Sequence, residues 1–194
     1  MVEKKHITGI VLAGGKSTRM GTDKGLMEYN QKPFVQYCID ALKPLVSEII
    51  IVSDHSGYDV FGYERIEDNI KNAGPLAGVY SGLKHSKTAY NLVLSCDVPL
   101  IKTAILKQLI DASEDTIEII QIESDNRTMP LIALYKKDCS STFYNLLQQG
   151  EKRLQYAVNQ CAVKTISLKE EEQVYTLNIN TKEEFKTIQN EHHH

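Results

Sequence analysis

The chain has 194 residues, 42% of them hydrophobic, enough for one sizeable core and most simply a single domain. Its 22 basic and 25 acidic residues leave a formal charge of -3, and without a Lys/Arg block or basic helix this disfavours a polynucleotide partner. No apolar stretch reaches membrane-spanning length and none precedes the first strand-like run, so a cytoplasmic protein with no membrane partner is expected.

Ile7–Leu12 is a short β-branched-rich run that breaks at Gly14 and Gly15. Phe34, Val35, Cys38, Ile39 and Leu42 then recur at helical spacing. Glu48–Ser53 and Asn91–Ser95 repeat the first pattern, and near-continuous apolar runs of this length predict strands buried on both faces. Tyr63–Ile66 also reads as a strand, and Gly74–Gly78 as a helix start with proline in its first turn. Ile101, Ile105, Leu106, Leu109 and Ile110 mark another helix. Alternating strands and helices predict a parallel sheet built from βαβ units.

Further along, Ile117–Ile122, Met129–Tyr135 and Ala162–Leu168 read as strands, and Asp138 as the cap of a helix carrying Phe143, Leu146 and Leu147. A capping box, Thr181 with Glu184, opens a final helix with Phe185 and Ile188 on its inner face. Segments 13–33 and 54–75 are the longest without a clear element, and long loops in compact domains are usually functional or mobile. The cysteines, Cys38, Cys96, Cys139 and Cys161, are scattered without C-x-x-C spacing, which suits reduced, small apolar residues better than a disulfide or zinc framework. Residues 191–194, ending in His192–His194, read as a purification-tag remnant and stay outside any metal argument.

The string GKST at Gly15–Thr18 invites comparison with a P-loop, whose first glycine would then stand at position 10. That position is Ile10, and Ile10, Val11 and Leu12 belong to a strand rather than a loop, so the motif fails in spacing and context. G-x-G-x-x-G fails too, because Gly14 and Gly15 are adjacent. What remains is a strand, a small-residue turn and a loop rich in donors: Lys16, Ser17, Thr18, Arg19, Gly21 and Lys24. Adjacent glycines let backbone amides approach an anion, Arg19 can fork two oxygens, and Lys24 supplies a point charge. An ordinary βα turn followed by a solvated basic loop is the alternative.

The full spacing from Leu12 to Lys24, L-A-G-G-x-S-x-R-M-G-x-D-K, resembles the signature of the sugar-phosphate and cofactor nucleotidyltransferases. Its LAGG start and D-K end are most similar to the molybdenum cofactor guanylyltransferase family. Relatives acting on sugars or on methylerythritol phosphate usually have proline where this chain has Asp23, and the cytidylyltransferase branch more often has alanine at Gly14. The segments IEDNIKNAGPLAG (66–78), LSCDVPLI (94–101), QGEKRL (149–154) and LNINTKEE (177–184) match further pieces of the family. The resemblance implies an α/β fold: three-layer, Rossmann-like, glycosyltransferase-A-like, with a mostly parallel central sheet. It also implies one domain over 1–190, with a nucleotide half to about residue 100 and an acceptor half beyond.

Leu12, Ala13, Gly14, Gly15, Lys24, Asp68, Gly78 and Asp97 then belong to the nucleotide site. Asp97 ends a buried strand, where ligands of open α/β sheets gather, and its hard carboxylate suits Mg2+; a turn or capping aspartate ahead of Pro99 is the alternative. Asp68 is otherwise a solvated loop acid, and Gly78 a helix-packing residue. Asn178 and Asn180, alternating on a strand, would face the reaction centre, unless they are turn asparagines. Lys152 and Arg153 would bind the phosphate or pterin of the acceptor, unless they are a solvated helix-start pair. His55 and His85 have no partner at metal-ligand spacing and stay unassigned.

The reaction implied is transfer of GMP from GTP to the terminal phosphate of molybdopterin, releasing pyrophosphate. An acceptor phosphate is already nucleophilic at neutral pH, so catalysis reduces to alignment and charge neutralisation. The Gly14 and Gly15 amides and Arg19 would hold the leaving pyrophosphate, Lys24 the α-phosphate, and Asp97 the magnesium. Expected partners are these small molecules and other molybdenum cofactor biosynthesis proteins. A CTP-dependent or sugar-phosphate transferase, and a noncatalytic nucleotide-binding module, are the competing readings.

Overall fold

The computed structural model describes residues 2–14, 23–71, 73–179, 181, 183–184 and 187. The strands are β1 (Ile7–Leu12), β2 (Glu28–Tyr29), β3 (Lys32–Pro33), β4 (Glu48–Val52), β5 (Glu64–Ile66), β6 (Tyr90–Ser95), β7 (Ile119–Ser124), β8 (Arg127–Lys136) and β9 (Val163–Ser167). The helices are α1 (Phe34–Leu42), α2 (Gly74–His85), α3 (Thr103–Asp111), α4 (Cys139–Gln148), α5 (Leu154–Val158) and α6 (Glu170–Gln173).

Seven strands form one sheet in the order β5-β4-β1-β6-β8-β7-β9. β5, β4, β1 and β6 are parallel, whereas β8 runs antiparallel to both β6 and β7, and β9 pairs parallel to β7. The expected sheet is therefore mostly parallel with one inverted strand. A two-residue turn at Asp125 and Asn126, both at positive φ (49° and 56°), makes the β7–β8 hairpin, because this left-handed backbone matches the twist of paired strands.

Strand residues alternate between two cores. Val11, Ile49, Ile51, Leu92, Leu94 and Leu134 face a layer containing α1 and α3. Ile10, Ile50, Val52, Val93, Ala133 and Tyr135 face α2, α4 and α5. Apolar side chains on both strand faces require helices on both faces, which is why these runs read as continuous in the sequence. At Gly82 in α2 an added Cβ would lie 2.6 Å from Ile10 Cγ2, so the helix approaches β1 as closely as a missing side chain permits.

Two expectations are corrected. Asp138 precedes α4, but its side chain makes no capping hydrogen bond. Leu177–Ile179 is not a strand; it docks through one backbone bond, Ile179 N to Asp97 O at 2.8 Å, with Ile179 buried beside Met27 and Phe34. The expected final cap is present, with Glu184 N donating to Thr181 Oγ1 at 3.1 Å.

Candidate active site

β1 is the point where the chain order reverses, with β4 on one side and β6 on the other. Ligands of open α/β sheets collect outside the carboxyl ends of strands at such a point. The ladder there extends past the strands: Ala13 N donates to Val52 O at 3.0 Å, Ser53 N to Ile66 O at 2.9 Å, and Cys96 N to Leu12 O at 3.1 Å. Above this floor lies a cavity of about 600 Å³ lined by Leu12, Gly14, Asp23, Ser53, Asp68 and Gly78, among others.

The start of α2 forms one wall, with Gly74, Pro75 and Gly78 lining the cavity. Gly74 has φ +70°, a conformation that glycine adopts without strain. An added Cβ at Gly78 would stand in ordinary contact with Asp68 Oδ1, at 3.5 Å, so the carboxylate lies beside this turn of the helix. That buried oxygen has no hydrogen-bond partner among the described residues. Burial, reinforced by the charge of Asp54 and opposed by Lys71, pushes the Asp68 carboxyl up to about 6. An unpartnered buried acceptor at a cavity wall is a position where a ligand donor is worth most.

Asp23 is a second wall residue. Its Oδ1 accepts the Gly25 amide at 3.1 Å and the hydroxyl of Tyr58, a side chain buried on the 3-10 turn Ser56–Phe61. These bonds fix the 3-10 turn Lys24–Leu26. Gly25 is forced there: an added Cβ would collide with the Tyr58 hydroxyl and approach Cys96 Sγ to 3.1 Å. Lys24 and Asp97 do not line the cavity itself, yet both act on Cys96. Burial raises that thiol most, Asp97 and Asp23 raise it further, and Lys24 opposes them. Lys24, Asp23 and Asp97 thus form a charged group beside the cavity.

Magnesium is the ion implied for this family. Asp97 is half-buried in the turn after β6, and its charge raises the thiols of Cys38 and Cys96, behind the larger effect of burial. A half-buried hard carboxylate just past the carboxyl end of a central strand is the donor type that ion takes.

Of the residues expected to bind the acceptor, Lys152 has its backbone oxygen 3.5 Å from the position of an added Cβ at Gly74, which brings the 150–153 turn to the cavity edge. Arg153 is 74% exposed and paired with Glu151 through Nε at 2.9 Å and Nη2 at 2.6 Å. The Arg153 hydrogen bonds hold the Glu151 carboxyl down at about 2. Asn178 is exposed two residues after Thr176, next to the Ile179 contact with the Asp97 turn. Gly15, Arg19 and Asn180 lie outside the described residues.

Sequence reasoning missed Ser53, Asp54 and His55, which line the cavity beyond β4. His55 N donates to Ser53 Oγ at 3.1 Å, and His55 Nδ1 accepts from Gly57 N at 3.0 Å. The signal available was positional: they follow a buried strand parallel to β1.

A family model described as the MobA-like NTP transferase domain matches residues 9–162. The chain belongs to this family. It is accordingly a nucleotidyltransferase. A probable molybdenum cofactor guanylyltransferase from Flavobacterium johnsoniae is 34% identical over 94% of this chain and 96% of its own length. A molybdenum cofactor guanylyltransferase from Shewanella sediminis is 32% identical over 92% of this chain and 93% of its own. Among solved structures, a molybdopterin-guanine dinucleotide biosynthesis protein A from Archaeoglobus fulgidus superposes with TM-score 0.78 at 20% identity, covering 94% of this chain and 97% of that one. At that identity the likeness establishes the fold alone, a layered α/β domain with a mostly parallel sheet. Among the described residues, no helix is long and apolar enough to cross a membrane.

Proposed function

We propose that this MobA-like transferase moves GMP from GTP to the terminal phosphate of molybdopterin, forming the guanine dinucleotide cofactor. An acceptor phosphate oxygen bonds to the α-phosphorus as the bond to the β-phosphate bridging oxygen breaks, and pyrophosphate carries away that electron pair. The observation that carries this reading is the cavity at the β1 switch point, with backbone at Gly14, the α2 start and the unpartnered Asp68 oxygen around it. Such a site can hold a nucleotide without a nucleophilic side chain.

In this reading Gly14, with Gly15 and Arg19, holds the departing pyrophosphate, while Lys24 neutralises charge gathering on the α-phosphate. Leu12 and Gly78, which line the cavity, form the apolar bed of the nucleoside, Ala13 being buried behind them in the core, and Asp68 accepts from its hydroxyls or base. Asp97 holds magnesium, which when bound neutralises phosphate charge so that two anionic reactants can meet. The nucleotide occupies the half up to about residue 100. The acceptor lies toward Lys152, Arg153, Asn178 and Asn180, and the Arg153 guanidinium is held by Glu151.

The test is pyrophosphate release from GTP, CTP, ATP and UTP with molybdopterin as acceptor and magnesium present. A strong preference for GTP is expected. Preference for CTP, or nucleotide binding without turnover, would overturn the assignment.

A further inference from the structure

The cysteines have no metal-binding spacing in the sequence, but the fold brings two of them together. Cys139 opens α4, Cys161 lies in the turn between α5 and β9, and Glu118 immediately precedes β7. One ligand atom from each, two Sγ and a carboxylate oxygen, lie within 4.8 Å of one another. The trio stands on a braced frame. Glu118 N donates to Ala162 O at 2.8 Å, Lys136 N to Glu118 O at 2.8 Å, and Ala162 N to Glu118 Oε2 at 2.8 Å. Cys139 Sγ points at Glu118 O, 3.7 Å away.

We infer that Glu118, Cys139 and Cys161 form a binding site for a thiophilic divalent cation of the zinc class, separate from the nucleotide cavity. Thiolates select zinc over magnesium or calcium. Tetrahedral zinc, with sulfur at about 2.3 Å and oxygen at about 2.0–2.2 Å, needs ligand atoms roughly 3.5–3.8 Å apart. Closure from the present spacing is therefore a matter of side-chain adjustment on fixed backbone. Cys139 is buried, whereas Cys161 and Glu118 are partly exposed, which leaves the fourth position open to water. A bound cation would tie together the starts of β7, α4 and β9.

The test uses the full chain, reduced by a phosphine and stripped of metal, titrated with Co2+ and then Zn2+. One equivalent of Co2+ should give sulfur-to-cobalt charge-transfer absorption, abolished by one equivalent of Zn2+. Histidines 192–194 and the carboxylates of the nucleotide site cannot produce that band. Cys161→Ser, in a turn and partly exposed, should remove it, and Glu118→Gln should weaken zinc binding by roughly tenfold or more, at least the cost of losing an outer-shell partner. Absence of the band at one equivalent, or its persistence in Cys161→Ser, would overturn the site. Cys139→Ser is the supporting variant, since its burial makes misfolding a separate outcome that Cys161→Ser avoids.

Discussion

The hydroxyl of Tyr58 donates to Asp23 Oδ1, the same oxygen that accepts the Gly25 amide and so fixes the turn carrying Lys24. Tyr58 is fully buried and far from Lys24 in sequence, and it reaches the lysine's turn through Asp23. Tyr58→Phe keeps the ring and removes the bond. Losing about 1 kcal/mol of positioning corresponds to a rate loss of somewhat under tenfold. The expected result is a lower kcat with little change in KM for GTP or in melting temperature. An unchanged kcat would show that Asp23 holds the turn without Tyr58.

Asp68 makes stability depend on pH. Its carboxyl titrates near 6 in the folded chain against an ordinary value of 3.8, because of burial first and the Asp54 charge second, with Lys71 opposing. The folded state therefore binds this proton more tightly than the unfolded state. The favourable contribution is complete below about pH 4 and is lost as pH rises through about 6. Asp68→Asn should melt higher than the unsubstituted protein above pH 6, with the gap closing toward pH 4, and should bind GTP more weakly. Melting curves across that range, paired with GTP titration, check both statements.

The sheet and its helices were legible because two-sided burial writes itself as continuous apolar runs and helical spacing. Strand direction was less so: the buried part of β8, Ile132–Tyr135, reads the same either way, and its antiparallel pairing is marked by the short Asp125–Asn126 turn rather than by the apolar run. Asn178 and Asn180 alternate in the sequence as strand residues do, but the described part, Leu177–Ile179, is tied down by buried Ile179 and its bond to Asp97 O. Leu12, Gly14, Asp68 and Gly78, which line the cavity, could be singled out because the family spacing is long. Tyr58 could not, since it is one buried side chain inside a loop. The Cys139–Cys161 approach depends on how α4 and α5 return the chain to β9, which no local spacing encodes.

Gly82 tests the helix-to-sheet approach independently of the chemistry. An added methyl would press on Ile10 Cγ2 at 2.6 Å and Cδ1 at 3.0 Å, both within the buried layer between β1 and α2. Gly82→Ala ordinarily helps a helix, but here overpacking should win and cost about 1–3 kcal/mol. Urea unfolding is the measurement, and a stabilised variant would mean that α2 moves freely away from β1.

Lys24 and Asp97 pull the Cys96 thiol in opposite directions, which places both charges around one buried point next to the cavity. If they serve the same reacting phosphate, each single variant, Lys24→Ala or Asp97→Ala, should lower kcat by on the order of 10²-fold while leaving the melting curve near that of the parent. The double variant should then lose far less than the product of the two, since groups acting as a unit are strongly non-additive. Pyrophosphate release under saturating GTP and magnesium measures all three. Fully multiplicative losses would mean that the two residues act on separate steps, and near-normal magnesium-dependent turnover in Asp97→Ala would remove Asp97 from the metal site.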